Sequence, residues 1–166
     1  MADSTSEDVP ESMTIVAWSG DLDKMWPTLI LGSTGAAYGM QTTIFFTFWG
    51  LYPLVRDDVR ITGDNAMTKA LAGMNRPGMS HMKLSKLNMA GAGAWMMRKL
   101  AKDHKVASPK ELVEMCTELG VNLWPCEMTM DLMGLRQDQL IEGVGEPVGA
   151  ATALSEMSKS QINLFI

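Results

Sequence analysis

Apolar positions along the chain fall into short, dense runs separated by turn residues. Met13–Trp18 (MTIVAW) is bounded by Ser19-Gly20-Asp21 and shows no polar alternation, which predicts a strand buried on both faces. Asp21–Tyr38 predicts a helix, with Asp21 or Asp23 near its N-cap, Pro27 in the early turns and Gly39 as its stop. Thr42–Trp49, β-branched and aromatic, predicts a second buried strand. Strand, helix and strand in this order form a βαβ unit, so the strands should be parallel with a right-handed crossover. Further on, Ser108-Pro109-Lys110-Glu111 is a capping box with proline at the first helical position. Leu112, Met115, Cys116 and Leu119 then repeat at helical spacing up to Gly120, which turns Cys116 toward the core. Val121–Trp124 predicts a third strand, Thr129–Leu135 a short helix, Leu140–Val144 a fourth strand, Val148–Ser158 a helix and Ile162–Ile166 a last strand.

This alternation gives an α/β domain, a three-layer α/β/α arrangement on a mostly parallel sheet of about five strands. Residues 12–166 are read as one domain. Residues 51–107 are too long for a simple connection and are read as a helical insertion, with a short helix near Asp64–Gly73 and another over Ala94–His104. Residues 1–11, with four acids and no base, are read as a disordered acidic tail.

Charge changes the picture in two places. Met25–Val55 holds no charged residue and is long enough to span a bilayer. Its glycine-rich middle and its β-branched second half favour a helix feeding a buried strand, so membrane contact through it is not the favoured reading. Arg76–Lys105 carries seven bases and one acid, Asp103. That is either a solvated face or a docking surface for an acidic partner or anionic headgroups. The net charge of -5 gives no reason to expect nucleic acid.

Two cysteines and no secretory signal point to a reducing cytoplasm with free thiols. Cys126 falls just past the carboxyl end of the third strand, the edge where parallel sheets gather their chemistry. Its bland reading is a small buried hydrophobe. Trp18, Trp49 and Trp124 end three strands and are candidates to wall the same edge, as is Asp21 after Ser19-Gly20. Cys116 and Cys126 should be offset by more than about 10 Å along the helix–strand pair, beyond the roughly 7 Å Cα separation a disulfide allows. His81 and His104 lack partners at metal spacing, and no metal is predicted. Met128, Met130 and Met133 beside Cys126 read as packing rather than soft-metal ligands. Ala90–Ala94 lacks a dinucleotide fingerprint and there is no P-loop, so no cofactor is predicted.

Five blocks in order, IVAWSGDLDKMWPTLILGSTGAAYGM, TIFFTFWGLYPLVRD, KLNMAGAGAWMM, LGVNLWPCEMTMDLMGL and EPVGAATALSEMSKSQINLFI, resemble the DsrE/DsrF-like family over about residues 13–166. The likeness is greatest to its single-chain branch of small sulfur carriers, sometimes labelled peroxiredoxin-like. The resemblance implies a five-stranded parallel α/β/α fold, homo-oligomers and cytoplasmic sulfur trafficking. It also implies a persulfide carried on Cys126 and exchanged with a rhodanese-like sulfurtransferase and a TusA-like carrier. Cys116 matches a second cysteine of some relatives. Apart from the resemblance, Met128 and Met130 are further candidates to line the site. No peroxidatic Thr-x-x-Cys pattern is present, since Leu123-Trp124-Pro125 precedes Cys126. If catalytic, the protein is expected to be sulfurtransferase-like. The rival reading is a non-catalytic scaffold or membrane-associated subunit that docks partners through the basic 76–105 segment.

Overall fold

Four strands form a single parallel sheet in the order β3-β2-β1-β4: β1 (Ser12–Ala17), β2 (Gln41–Phe46), β3 (Asn122–Pro125) and β4 (Ile162–Phe165). The computed structural model describes residues 11–60, 66, 67, 70 and 75–166. Most of the expected acidic tail and most of the helix expected near Asp64–Gly73 lie outside the described residues. Ile15 sits opposite both Ile44 and Leu164, and Ile44 opposite Leu123, so one apolar row crosses all four strands. In β1 and β2 every residue after the first is buried, as unbroken apolar runs require.

Among the described residues five helices complete the layers: α1 (Leu22–Ala37), α2 (Ala92–Asp103), α3 (Pro109–Glu118), α4 (Glu127–Met133) and α5 (Ala150–Lys159). Strand alternation splits the sheet into two faces. On one, Met13, Ile15, Ala17, Ile44, Phe46 and Leu123 join α1 and α3 in the main core. On the other, Val16, Phe45 and Cys126 meet Ala153 of α5, with Trp124, Val148 and Met157 at the margin. The arrangement is therefore α/β/α, with unequal faces.

α1 runs unbroken through Gly32-Ser33-Thr34-Gly35. Ser33 donates its hydroxyl to Leu29 O at 2.8 Å, which satisfies a polar group inside the core. A Cβ on Gly32 would stand 2.6 Å from the Ile44 side chain, so the missing side chain lets the helix lie close on β2. The capping box on α3 forms as the sequence predicts: Glu111 N–H donates to Ser108 Oγ, and Ser108 N–H to Glu111 Oε2 at 2.7 Å.

Two predicted strands are corrected. Leu140–Val144 is not a strand and the sheet has four strands rather than about five. Leu140 makes one isolated antiparallel bridge to Val55, and Gly143, at φ 84°, turns the chain away against Thr117. The second strand stops at Phe46 rather than Trp49. Phe48 adopts φ 51°, its N–H takes Thr129 Oγ1 at 3.0 Å, and the chain winds into a 3-10 segment over Phe48–Leu54.

That 3-10 segment presses Gly50 onto the end of β1, where an added Cβ would lie 2.1 Å from the backbone oxygen of Ala17. Gly50→Ala is expected to destabilise the fold by about 2 kcal/mol or more. Urea unfolding reads this directly, and an unchanged midpoint would contradict the packing described.

Candidate functional site

Cys126 follows β3 and is the N-cap of α4, at the carboxyl edge of the sheet where the sequence places it. Its backbone is held on both sides: its N–H donates to Phe46 O at 2.9 Å, and its carbonyl accepts from Met130 N–H at 3.0 Å. The side chain belongs to the face covered by α5, packed among Val16, Phe45 and Ala153. Only 2% of the residue is exposed, so the sulfur is not openly presented at that edge.

Along the outer edge of β3 runs a strap, Gly145–Val148, that leads into α5. Gly145 N–H donates to Leu123 O at 2.9 Å, Val148 N–H to Pro125 O at 3.0 Å, and Glu127 N–H to Val148 O at 3.1 Å. Val148 thereby forms a parallel bridge with Cys126 itself. Gln137 adds side-chain bonds to the carbonyls of Val144 and Gly145. The strap contains Pro147 and lies between Gly143 and Gly149, so few side chains anchor it.

Cys116 has a different environment. It is fully buried in the main core, its Sγ is 3.7 Å from Leu29 O as a weak donor, and it faces α1 across Gly32. Both cysteines are free thiols. They belong to separate clusters on opposite faces of the sheet, which rules out a pair within this fold.

Of the predicted lining residues, Trp124 packs beside Cys126. Trp18, Asp21 and Trp49 instead share a cleft of about 250 Å³ with Tyr52, His81 and Lys83, and Cys126 is not among its walls. The tryptophans thus do not wall one common site, because the 3-10 segment carries Trp49 toward the end of β1 and away from β3. Within the cleft Trp49 meets Tyr52 edge-on at 5.4 Å, and Lys24 Nζ lies 4.9 Å from the Trp18 ring. Asp21 accepts the Ser19 hydroxyl at 3.1 Å. Met128 is exposed, whereas Met130 points into the main core, so the helical twist separates these two from each other and from the thiol. Among the described residues no three His, Cys, Asp or Glu side chains cluster as metal ligands.

The sequence pattern of the DsrE/DsrF/DrsH-like family matches residues 10–165. The chain belongs to that family. Two relatives align over nearly their whole lengths. YrkE of Bacillus subtilis (strain 168), an uncharacterized protein, is 38% identical over 153 residues, 92% of this chain and 95% of its own. The sulfur carrier protein DsrE2 of Allochromatium vinosum is 35% identical over 159 residues, 94% of this chain and 98% of its own.

Sequence reasoning missed the strap. Its signal was available in Gly143, Gly145, Pro147 and Gly149, a spacing that suits a connection lying on a sheet edge better than a strand and a helix start. It also missed Thr129, whose hydroxyl joins Thr47 Oγ1 at 3.2 Å and Phe48 N–H, tying α4 to the end of β2.

Burial pushes the Cys116 thiol up to about 11 from an ordinary 9.0. The fold holds the neutral form, so its stabilising effect is complete below about pH 9. It declines between about 9 and 11, where the unfolded chain ionises and the folded chain does not. Urea midpoints from about pH 8 to 10.5 should fall less steeply in Cys116→Ala than in the parent. Identical slopes would contradict the assignment.

Proposed function

We propose that this chain is a sulfur carrier of cytoplasmic sulfur relay that holds sulfane sulfur as a persulfide on Cys126. Membership of the DsrE-like family and similarity to a protein named as a sulfur carrier support a role in sulfur relay. The observation that carries the assignment to one residue is the contrast between the two thiols. Cys116 is locked in the main core with its ionisation suppressed. Cys126 lies at the carboxyl edge in a small cluster, beside a connection held by a few backbone hydrogen bonds.

The reaction needs no change in overall oxidation state. The Cys126 thiolate attacks the outer sulfur of a donor persulfide. A new S–S bond forms to Cys126, the donor's own S–S bond breaks, and the donor leaves as a thiolate. An acceptor thiolate then attacks the outer sulfur on Cys126, and the Cys126 thiolate is released. The burial of Cys126 adds a requirement. Each exchange must follow a local opening of the strap, an excursion of the sub-global kind that folded proteins make without unfolding. Between exchanges the closed strap keeps the persulfide away from water and from small thiols. A rhodanese-like sulfurtransferase as donor, a TusA-like carrier as acceptor and a homo-oligomeric assembly complete the reading. All three come from the family resemblance.

The burial of Cys126 also favours a second reading, in which it is an inert small hydrophobe and the protein is a non-catalytic scaffold. Intact mass after incubation with a sulfane donor separates the two. Parent protein and Cys116→Ala should each gain one sulfur atom, and Cys126→Ser none. Gain by Cys126→Ser removes the assignment. Failure of all three to gain sulfur favours the scaffold.

A further inference from the structure

Residues 83–106 display apolar side chains that the fold leaves in water. Leu87 is 80% exposed, Met89 72% and Trp95 64%, with Met96 and Leu100 of α2 beside them. An apolar groove of about 310 Å³ between α1 and α2, reached by Ile30, Met97 and Val106, extends the same surface.

The backbone is built to hold these side chains outward. Leu87, Met89 and Ala90 all have positive φ, 58°, 45° and 55°, which costs about 1–3 kcal/mol for each non-glycine residue. The loop is fastened despite that cost. Gly91 and Gly93 N–H donate to Asn88 O at 2.8 and 3.1 Å, and Leu84 N–H takes Asn88 Oδ1 at 3.2 Å. Ser85 N–H reaches Asp23 Oδ1 on α1 at 2.8 Å, and Leu22 N–H reaches Lys83 O at 2.8 Å. Strain spent on exposing leucine and methionine gives the lone chain no benefit, which marks the loop as a contact surface.

The charged groups among these tips are mostly basic. Lys83, Lys86, Lys99, Lys102 and Lys105 are exposed, and Lys99 Nζ lies 5.7 Å from the Trp95 ring. Over 76–105 Asp103 is the single acid, although the chain has 19 acids and a net charge of -5. Nearby Asp23 is already bonded to Ser85. Arg98 is turned inward onto the carbonyls of Met82 and Met79.

We propose that the loop and α2 lie on an anionic lipid surface. Leu87, Met89 and Trp95 enter below the headgroups, while the lysines pair with headgroup anions. Protruding apolar tips ringed by lysines fit a bilayer, where lysine stems follow apolar surface and ammonium groups stay at the headgroup level. They fit a protein partner poorly, because lysine is depleted from protein–protein interfaces. A second copy placed symmetrically would set the lysines against one another. The attachment is interfacial: among the described residues no helix is long and apolar enough to cross a membrane. It is independent of the sulfur chemistry.

The test is co-sedimentation of the full chain with phosphatidylcholine vesicles, with and without phosphatidylserine, read alongside Trp95 emission using Trp95→Phe as the reference. The parent should bind the anionic vesicles at least tenfold more tightly than the neutral ones, with Trp95 emission shifted to the blue. Lys86→Gln with Lys99→Gln should weaken binding roughly thirtyfold. Leu87→Ser should weaken it with the melting temperature unchanged. Added salt should weaken binding by the unmutated parent, a measurement that needs no variant to fold. Absent binding, equal binding to both vesicles, or an unshifted Trp95 would overturn the proposal. So would self-association or protein binding lost in the lysine variant when the parent ignores vesicles.

Discussion

Three backbone hydrogen bonds fasten the Gly145–Val148 strap along β3 and beside Cys126. β3 is an edge strand, and its outer N–H and C=O groups would otherwise face solvent as a template for foreign strands. The strap satisfies them with a connection too short and too rich in glycine and proline to count as a fifth strand. One set of bonds therefore closes the sheet edge and holds Val148 against the cluster that contains the thiol.

The unequal faces of the sheet give the two cysteines different fates. α1 and α3 cover one face densely, with Gly32 and Gly35 admitting α1 close to β2 and β1, and Cys116 is part of that packing. The other face is covered by α5, whose one buried residue is Ala153. A small residue above Cys126 leaves little to displace when the strap lifts. Burial thus has two meanings here. For Cys116 it suppresses ionisation within the core, and for Cys126 it is enclosure in a small cluster under α5 with Val148 of the strap at its margin.

Much of this was legible in the sequence where local signals and tertiary packing agree. The unbroken apolar runs, the Ser108–Glu111 box and the heptad-like placing of Cys116 each have one physical solution, and the structure adopts it. Cys126 at the edge of β3 was legible for the same reason. The wall around it was not. Trp18, Trp49 and Trp124 look equivalent as strand-ending aromatics, but the turn beginning at Phe48 sends Trp49 elsewhere, and a positive φ at a phenylalanine has no sequence signal. Leu140–Val144 has the apolar content of a strand, yet Gly143 and the single partner at Val55 leave it as an isolated bridge. Exposure was the least legible quantity, because it depends on a connection brought back over the edge from 19 residues or more further along the chain.

The most direct measurement compares the rate at which a small alkylating reagent modifies Cys126 with the hydrogen-exchange rates of the Val148 and Glu127 amides, under native conditions and increasing urea. A sulfur gated by the strap predicts that all three share one opening, with a free energy well below that of global unfolding and the same urea dependence. Modification of Cys126 only through global unfolding would mean that the thiol is sealed, and modification while both amides stay protected would mean that the strap does not guard it.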